Sequence, residues 1–159
     1  MQIQAHSDLG AAQHYLAALT AKLGTSGMTL VMRDIAVILE NSTRKRFESK
    51  TAPDGSRWAA WQPETRRRYA QTQWGQRKGK RYVKSVKLRD EARLLRDTSR
   101  LLRSITRHAT ARMAQVGTNV AYAPFHQSGT RNIVARPMFG ISHADRADIY
   151  DSLNDWLKA

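Results

Sequence analysis

Between Arg44 and Arg112 the chain carries 21 Lys and Arg against 6 Asp and Glu, whereas the rest of its 159 residues holds 6 against 7. Charge that dense cannot enter a low-dielectric interior without partners, so the core has to be assembled largely from chain on either side of the basic peak. That peak runs from Arg66 to Arg93. It contains Arg66, Arg67, Arg68, Arg77, Lys78, Lys80, Arg81, Lys84, Lys87 and Arg89, interleaved with Tyr69, Trp74 and Tyr82. Residues 75–90 show no clear period and hold Gly and Lys, so the stretch 66–93 is expected to be a flexible insertion in a single domain spanning 1–159. Three roles are open to it: gripping a nucleic-acid strand by charge and stacking, docking on an acidic protein surface, or staying solvated and extended through self-repulsion.

Apolar periodicity builds the flanks. Leu9, Ala12, Leu16, Leu19 and Leu23 recur at three- and four-residue spacing after a possible cap at Ser7, which predicts one helix ending at Gly24. Met28, Val31, Ile35, Ile38 and Leu39 predict a second, packed against the first, with Arg44, Lys45 and Arg46 carrying its last turns away from the core. Pro53-Asp54-Gly55 presets a tight reversal, after which Trp58 and Trp61 are expected to anchor the loop to the core. Pro63-Glu64-Thr65 opens a short helix expected to reach about Gln73.

Past the basic peak, Asp97 or Thr98 can cap a short helix holding Leu101, Leu102 and Ile105 on one side. From Thr106 to Val120 the period falls to two, with Ala114, Val116, Thr118 and Val120 opposite Met113 and Gln115, which predicts a hairpin with a bulge or bend at Gly117. Ile133 to Ala135 reads as one more strand, closed by Arg136-Pro137. Ser142 or His143 can then cap a final helix whose apolar face is Ile149, Tyr150, Leu153, Trp156 and Leu157. Two N-terminal helices, a basic insertion, a small antiparallel sheet and a C-terminal helix make the expected class α+β.

Composition removes several functions. Without cysteine there is no thiol nucleophile, CxxC redox centre or cysteine zinc site. The chain is 41% apolar, too much for disorder throughout, yet no apolar run nears the roughly 20 residues a bilayer span needs. His14 and Thr20 interrupt the one candidate leader stretch, so synthesis in a cytoplasm is expected. His6, His14, His108, His126 and His143 show no metal-ligand spacing, and no nucleophile elbow, phosphate loop or dinucleotide glycine pattern occurs. Asp54-Gly55 lacks the alternating oxygen ligands of a calcium loop. No metal, cofactor or catalytic residue is therefore expected. His126, inside the dense run Tyr122 to Gly129, is expected to be a buried structural residue.

Taken in order, the short motifs resemble one family. They are Arg46-Phe47 ahead of Pro53-Asp54-Gly55-Ser56-Arg57-Trp58; Leu95 to Leu101, including Asp97-Thr98, with Ser104-Ile105; Val116-Gly117-Thr118-Asn119-Val120 leading to Tyr122-Ala123 and His126-Gln127-Ser128-Gly129; and Ala135-Arg136-Pro137-Met138-Phe139-Gly140-Ile141-Ser142. This succession is similar to the phage virion morphogenesis, or tail completion, proteins of Mu-like and P2-like contractile-tailed phages. Ser99 stands where that pattern has Gly, Val134 where Pro is common, and Met138-Phe139 where Phe-Leu is usual.

The resemblance implies a non-enzymatic neck protein that completes the tail and joins it to the head as tail terminator, head stopper or adaptor. It implies a homo-oligomeric ring, with a hexamer as the expected copy number, between portal-side connector proteins and the tail tube or sheath. The basic segment would then face packaged DNA or an acidic connector surface. Met138, Phe139 and Ile141, with His126, form either part of a ring seam or the lid of the core, and the lid is the preferred reading.

Overall fold

The computed structural model describes residues 9–66, 74–77, 80–83 and 94–158, and its class is α+β. Helix α1 (Leu9–Leu23) gives way at Gly24 to α2 (Thr25–Ser49), a helix of 25 residues and so about 37 Å long. The junction is tight. A Cβ on Gly27 would stand 2.1 Å from the Lys22 carbonyl oxygen, so only glycine lets the end of α1 lie against the start of α2. The α1 stripe nevertheless stays largely uncovered.

The far end of α2 reverses the expectation that its charged turns leave the core. Thr43, Arg46 and Phe47 are all buried, and Phe47 meets Trp58 edge to face with ring centroids 5.4 Å apart. Lys50 ends the helix in the left-handed conformation (φ 60), its N–H reaching the Arg46 carbonyl at 2.8 Å. A tight turn follows, in which Gly55 takes φ 86 and Asp54 accepts from both the N–H and the hydroxyl of Ser56. Trp58 is buried and donates from Nε1 to the Pro137 carbonyl at 2.8 Å, and Trp61 packs on the same cluster, as anchors should. Residues 63–66 are helical; the rest of the helix expected to reach Gln73 lies outside the described residues.

Within the basic peak, strands β1 (Trp74–Arg77) and β2 (Lys80–Val83) pair antiparallel, Trp74 opposite Val83 and Arg77 opposite Lys80. The sequence shows no clear period over 75–90 and does not anticipate this hairpin. Trp74, Tyr82 and Val83 are strand-forming residues whose signal was hidden among the cations. Arg67, Arg68, Lys78, Lys84, Lys87 and Arg89 lie outside the described residues.

Helix α3 (Arg100–Arg103) is shorter than expected, because Ile105 opens a strand instead of closing a helical face. The cap expected at Asp97 or Thr98 is not formed: Ser99 is the N-cap, with no side-chain capping bond and a positive φ of 57 where the resembling pattern carries Gly, and the Thr98 hydroxyl accepts from the Arg100 N–H at 3.3 Å only as a local turn bond. Strands β3 (Ile105–Thr110) and β4 (Met113–Thr118) form the predicted hairpin, in unbroken register from Ile105 opposite Thr118 to Thr110 opposite Met113. Gly117 pairs with Thr106 inside that register, so there is no bulge. Helix α4 (Ala123–Ser128) follows, and then 130–142 runs without regular structure. The strand expected at Ile133 to Ala135 is absent because Thr130 and Ile133 exchange turn hydrogen bonds and Arg136 donates back to the His126 carbonyl at 2.7 Å.

Helix α5 (His143–Lys158) closes the fold. Ile149, Leu153 and Trp156 pack on Val31, Ile35 and Leu39 of α2, but Tyr150 and Leu157 are exposed, since α2 offers only a narrow stripe at the 149, 153, 156 spacing. A larger cluster around Phe47, Leu101, Ile105, Val120 and Met138 fills the other end, and Val116 touches both.

Candidate functional site

The motif-rich segment 134–142 is where the buried polar chemistry of this protein converges. Arg46 Nη1 donates to the carbonyls of Met138 (3.0 Å) and Gly140 (2.9 Å), while Nη2 donates to Ser42 Oγ (3.0 Å) and Asp145 Oδ2 (2.5 Å). Asp145 in turn accepts from the Ser142 N–H at 2.7 Å, and Ser142 Oγ accepts from the Asp145 N–H at 3.1 Å, a reciprocal cap on α5. Burial pushes the Asp145 carboxyl upward, but the hydroxyls of Ser42 and Ser142, the Ser142 N–H and the Arg46 charge outweigh it and hold the group below the usual carboxylate range.

Two further side chains hold the same segment. Gln127 Oε1 accepts from the N–H groups of Met138 (2.9 Å) and Phe139 (3.0 Å), and its Nε2 donates to the Phe139 carbonyl at 2.9 Å. Arg136 is buried and reaches across to the carbonyls of Ala59 and Ala60, each at 2.8 Å. Gly140 takes φ 149, and a Cβ there would stand 2.7 Å from Cγ of Pro53. A side-chain-free residue is thus required where the 53–55 turn meets the segment. Between them lies a groove of about 530 Å³ whose walls include Pro53, Asp54, Pro137, Phe139, Ile141, His143 and Arg146.

Of the residues expected at a ring seam, Met138 is fully buried and belongs to the core, Phe139 is half-buried against it, and Ile141 is exposed. His126 is half-buried beneath Tyr122, edge to face at 5.9 Å, and its Nδ1 has no hydrogen-bond partner among the described residues. Burial and the nearby Arg136 charge lower its pKa, so the neutral imidazole is favoured. Gly129 (φ 76) closes α4, and Asp97 is exposed. Arg66 is exposed at the end of the 63–66 turn, apart from this segment in sequence, and Arg77, Lys80 and Arg81 lie on the β1–β2 hairpin.

A second polar cluster joins α2 to β3. Glu40 Oε1 accepts from Arg44 Nε (3.1 Å) and Nη2 (2.9 Å), and Oε2 is bound by Arg107 Nη1. Arg44 also reaches the Ile105 carbonyl at 2.9 Å. Desolvation raises the Glu40 carboxyl, but the two arginines prevail and keep it lowered.

Sequence reasoning did not find Arg46, Glu40, Gln127 or Asp145 in these roles. The Ser142 to Asp145 spacing is a readable capping signal and Glu40-Arg44 a readable i,i+4 pair; nothing local marks Gln127 or the burial of Arg46, whose partners in segment 138–145 lie 11 to about 100 residues away along the chain. Among the described residues no group of three or more His, Asp or Glu is placed to hold a metal, and no helix is long and apolar enough to cross a membrane. The assembly can hold an irregular surface segment rigid.

No curated protein and no solved structure matches the chain. The phage virion morphogenesis family matches residues 7–158, nearly its whole length, with the clamped segment, the turn at Pro53 and the capped α5 all inside the match. A structural or assembly part associated with the phage virion is what such membership means, and the chain belongs to the phage virion morphogenesis family.

Proposed function

We propose that this protein is a non-enzymatic neck component that completes the tail and joins it to the head, working as a closed ring of identical copies. The observation that carries the reading is α1. Tyr15 is 69% exposed, Leu16 59%, Leu23 54% and, just beyond the junction, Leu30 56%, on a helix with scarcely a charge. A helix so apolar belongs against a partner, and exposed apolar surface of this kind marks protein contact.

A second exposed apolar region, with Phe125 on α4 and Ile141 beside the groove, is unlike the first. Head-to-tail rings need two different patches on each copy, one to fit the other on the next copy. The rigid hold on 134–142 supports the second patch, since a pre-ordered surface loses less entropy on docking. In this reading a hexamer is the working copy number, connector proteins meet one face of the ring and tail tube or sheath the other, and the basic hairpin turns toward packaged DNA or an acidic connector.

The test is complementation. Particles made without the protein should accumulate as separate heads and tails, and adding purified protein should restore joined, infectious virions. Joined particles in its absence would end the proposal. Leu16→Asp on exposed α1 should leave the fold intact by circular dichroism but shift native mass from ring to monomer; a variant that stays assembled removes α1 from the interface.

A further inference from the structure

The cleft between α2 and β3, about 270 Å³, is walled by Arg33, Ala36 and Val37 on one side and Arg107, His108 and Ala109 on the other. Its floor is low because Ala36 is fully buried with only a methyl side chain where the strand crosses. Arg107 is pinned by Glu40, which Arg44 holds from its other oxygen, so this guanidinium is fixed before any ligand arrives. The Arg33 and His108 side chains are exposed and, among the described residues, make no hydrogen bond or ion pair. Among the described residues no carboxylate lines the cleft, and Glu40, which holds Arg107, is shared by two arginines. Fixed guanidinium donors beside an open cationic pocket suit an oxyanion.

We propose that this cleft binds phosphate groups of the duplex DNA backbone. Arg103 and Arg112, both exposed, stand just before and just after β3, so positive charge extends along a strand of about 20 Å. Consecutive phosphates on one DNA strand rise about 3.4 Å each along the axis while winding around it, so a straight element of that length can meet a few of them. A lone carboxylate on a protein surface would use only a fraction of it. The proposal rests on the neck reading only for the source of the phosphate, the duplex that passes through the head-tail junction.

Fluorescence anisotropy with a labelled 20-base-pair duplex and the purified full chain, from about 50 to 200 mM salt, tests it. Arg33→Ala/His108→Ala, both exposed and outside the core, should weaken binding about tenfold at fixed salt and reduce the log-log salt slope by about 1 for each phosphate that is no longer neutralised. Arg57→Ala/Arg131→Ala, which removes two exposed guanidinium charges off the cleft and so more charge than the cleft variant, should change affinity less than about twofold. The weakening should persist when Arg77, Lys80 and Arg81 are already Ala, which separates the cleft from the basic hairpin. Unchanged affinity and slope in the cleft variant overturn the proposal, and so does equal competition by an acidic polypeptide matched in charge to the duplex. Head-tail joining is scored separately. Loss of DNA binding with intact wild-type complementation counts against the cleft alone, whereas DNA binding by a protein dispensable for joining counts against the neck reading alone.

Discussion

Replacing Asp145 with Asn tests whether the buried clamp on segment 134–142 works as the geometry implies. The Arg46 and Asp145 side chains are 6% and 4% exposed and their charges are 2.5 Å apart. Asn keeps an oxygen for the Ser142 N–H, so the helix cap survives and only the charge is lost. Removing one partner of a buried ion pair costs about 3–5 kcal/mol, because the other charge is left uncompensated in a poorly solvated site. Here Ser42 Oγ and two carbonyls still receive the Arg46 guanidinium, which places Asp145→Asn at the low end, about 3 kcal/mol. For a chain of this size that is a fall of roughly 6–12 °C in Tm. Arg46→Met removes the charge pair and also strands the Met138 and Gly140 carbonyls, at about 1–3 kcal/mol for each buried unsatisfied group, so it should cost more. Urea titrations of wild type and both variants at pH 7 and in acid read the effect. Asp145 has a depressed folded pKa, so its contribution is complete above the unfolded value near 4 and is lost as pH falls through the folded one; the wild-type advantage over Asp145→Asn should shrink there. A penalty below about 1 kcal/mol, the reverse order of the two variants, or a gap indifferent to acid would refute the argument.

Gly27→Ala should force the end of α1 off α2, exposing residues 22–27 to limited proteolysis while the urea midpoint of the main fold moves little; unchanged cleavage would show that the junction tolerates a Cβ. Gln127→Ala, which leaves two N–H groups and a carbonyl of 138–139 without partners, should destabilise by about 2–4 kcal/mol and speed amide exchange at Met138 and Phe139, as hydrogen-exchange mass spectrometry can measure. His126 has a lowered folded pKa, so the unfolded chain takes up the proton first as pH falls below about 6.5 and stability declines from there downward; His126→Leu should flatten that part of the profile in urea titrations. Glu40→Gln should let β3 and α2 part more easily, at about 1 kcal/mol because the Arg44 and Arg107 side chains are 39% and 51% exposed and water takes up their charge, seen as faster amide exchange along 105–110.

Much of this fold is legible in local pattern. The helix periods before Gly24 and after it, the Pro53-Asp54-Gly55 reversal, the two-residue alternation from Thr106 to Val120 and the capped final helix each state their own geometry over a few residues, and each is present. The ordered motifs that place the chain in its family are local too. What the tertiary structure alone decided are the questions that depend on residues far apart. Arg46 reads as an outward charge until Asp145, 99 positions later, supplies the counter-ion that lets it be buried. Gln127 is one polar residue among several until the 138–139 backbone lies within 3.0 Å. The leucines of α1 promise a buried face by their spacing, yet spacing cannot say whether the surface that covers them belongs to the same chain. Periodicity is a property of neighbours; the pairing of buried charges and the covering of a helix are properties of the whole assembled surface.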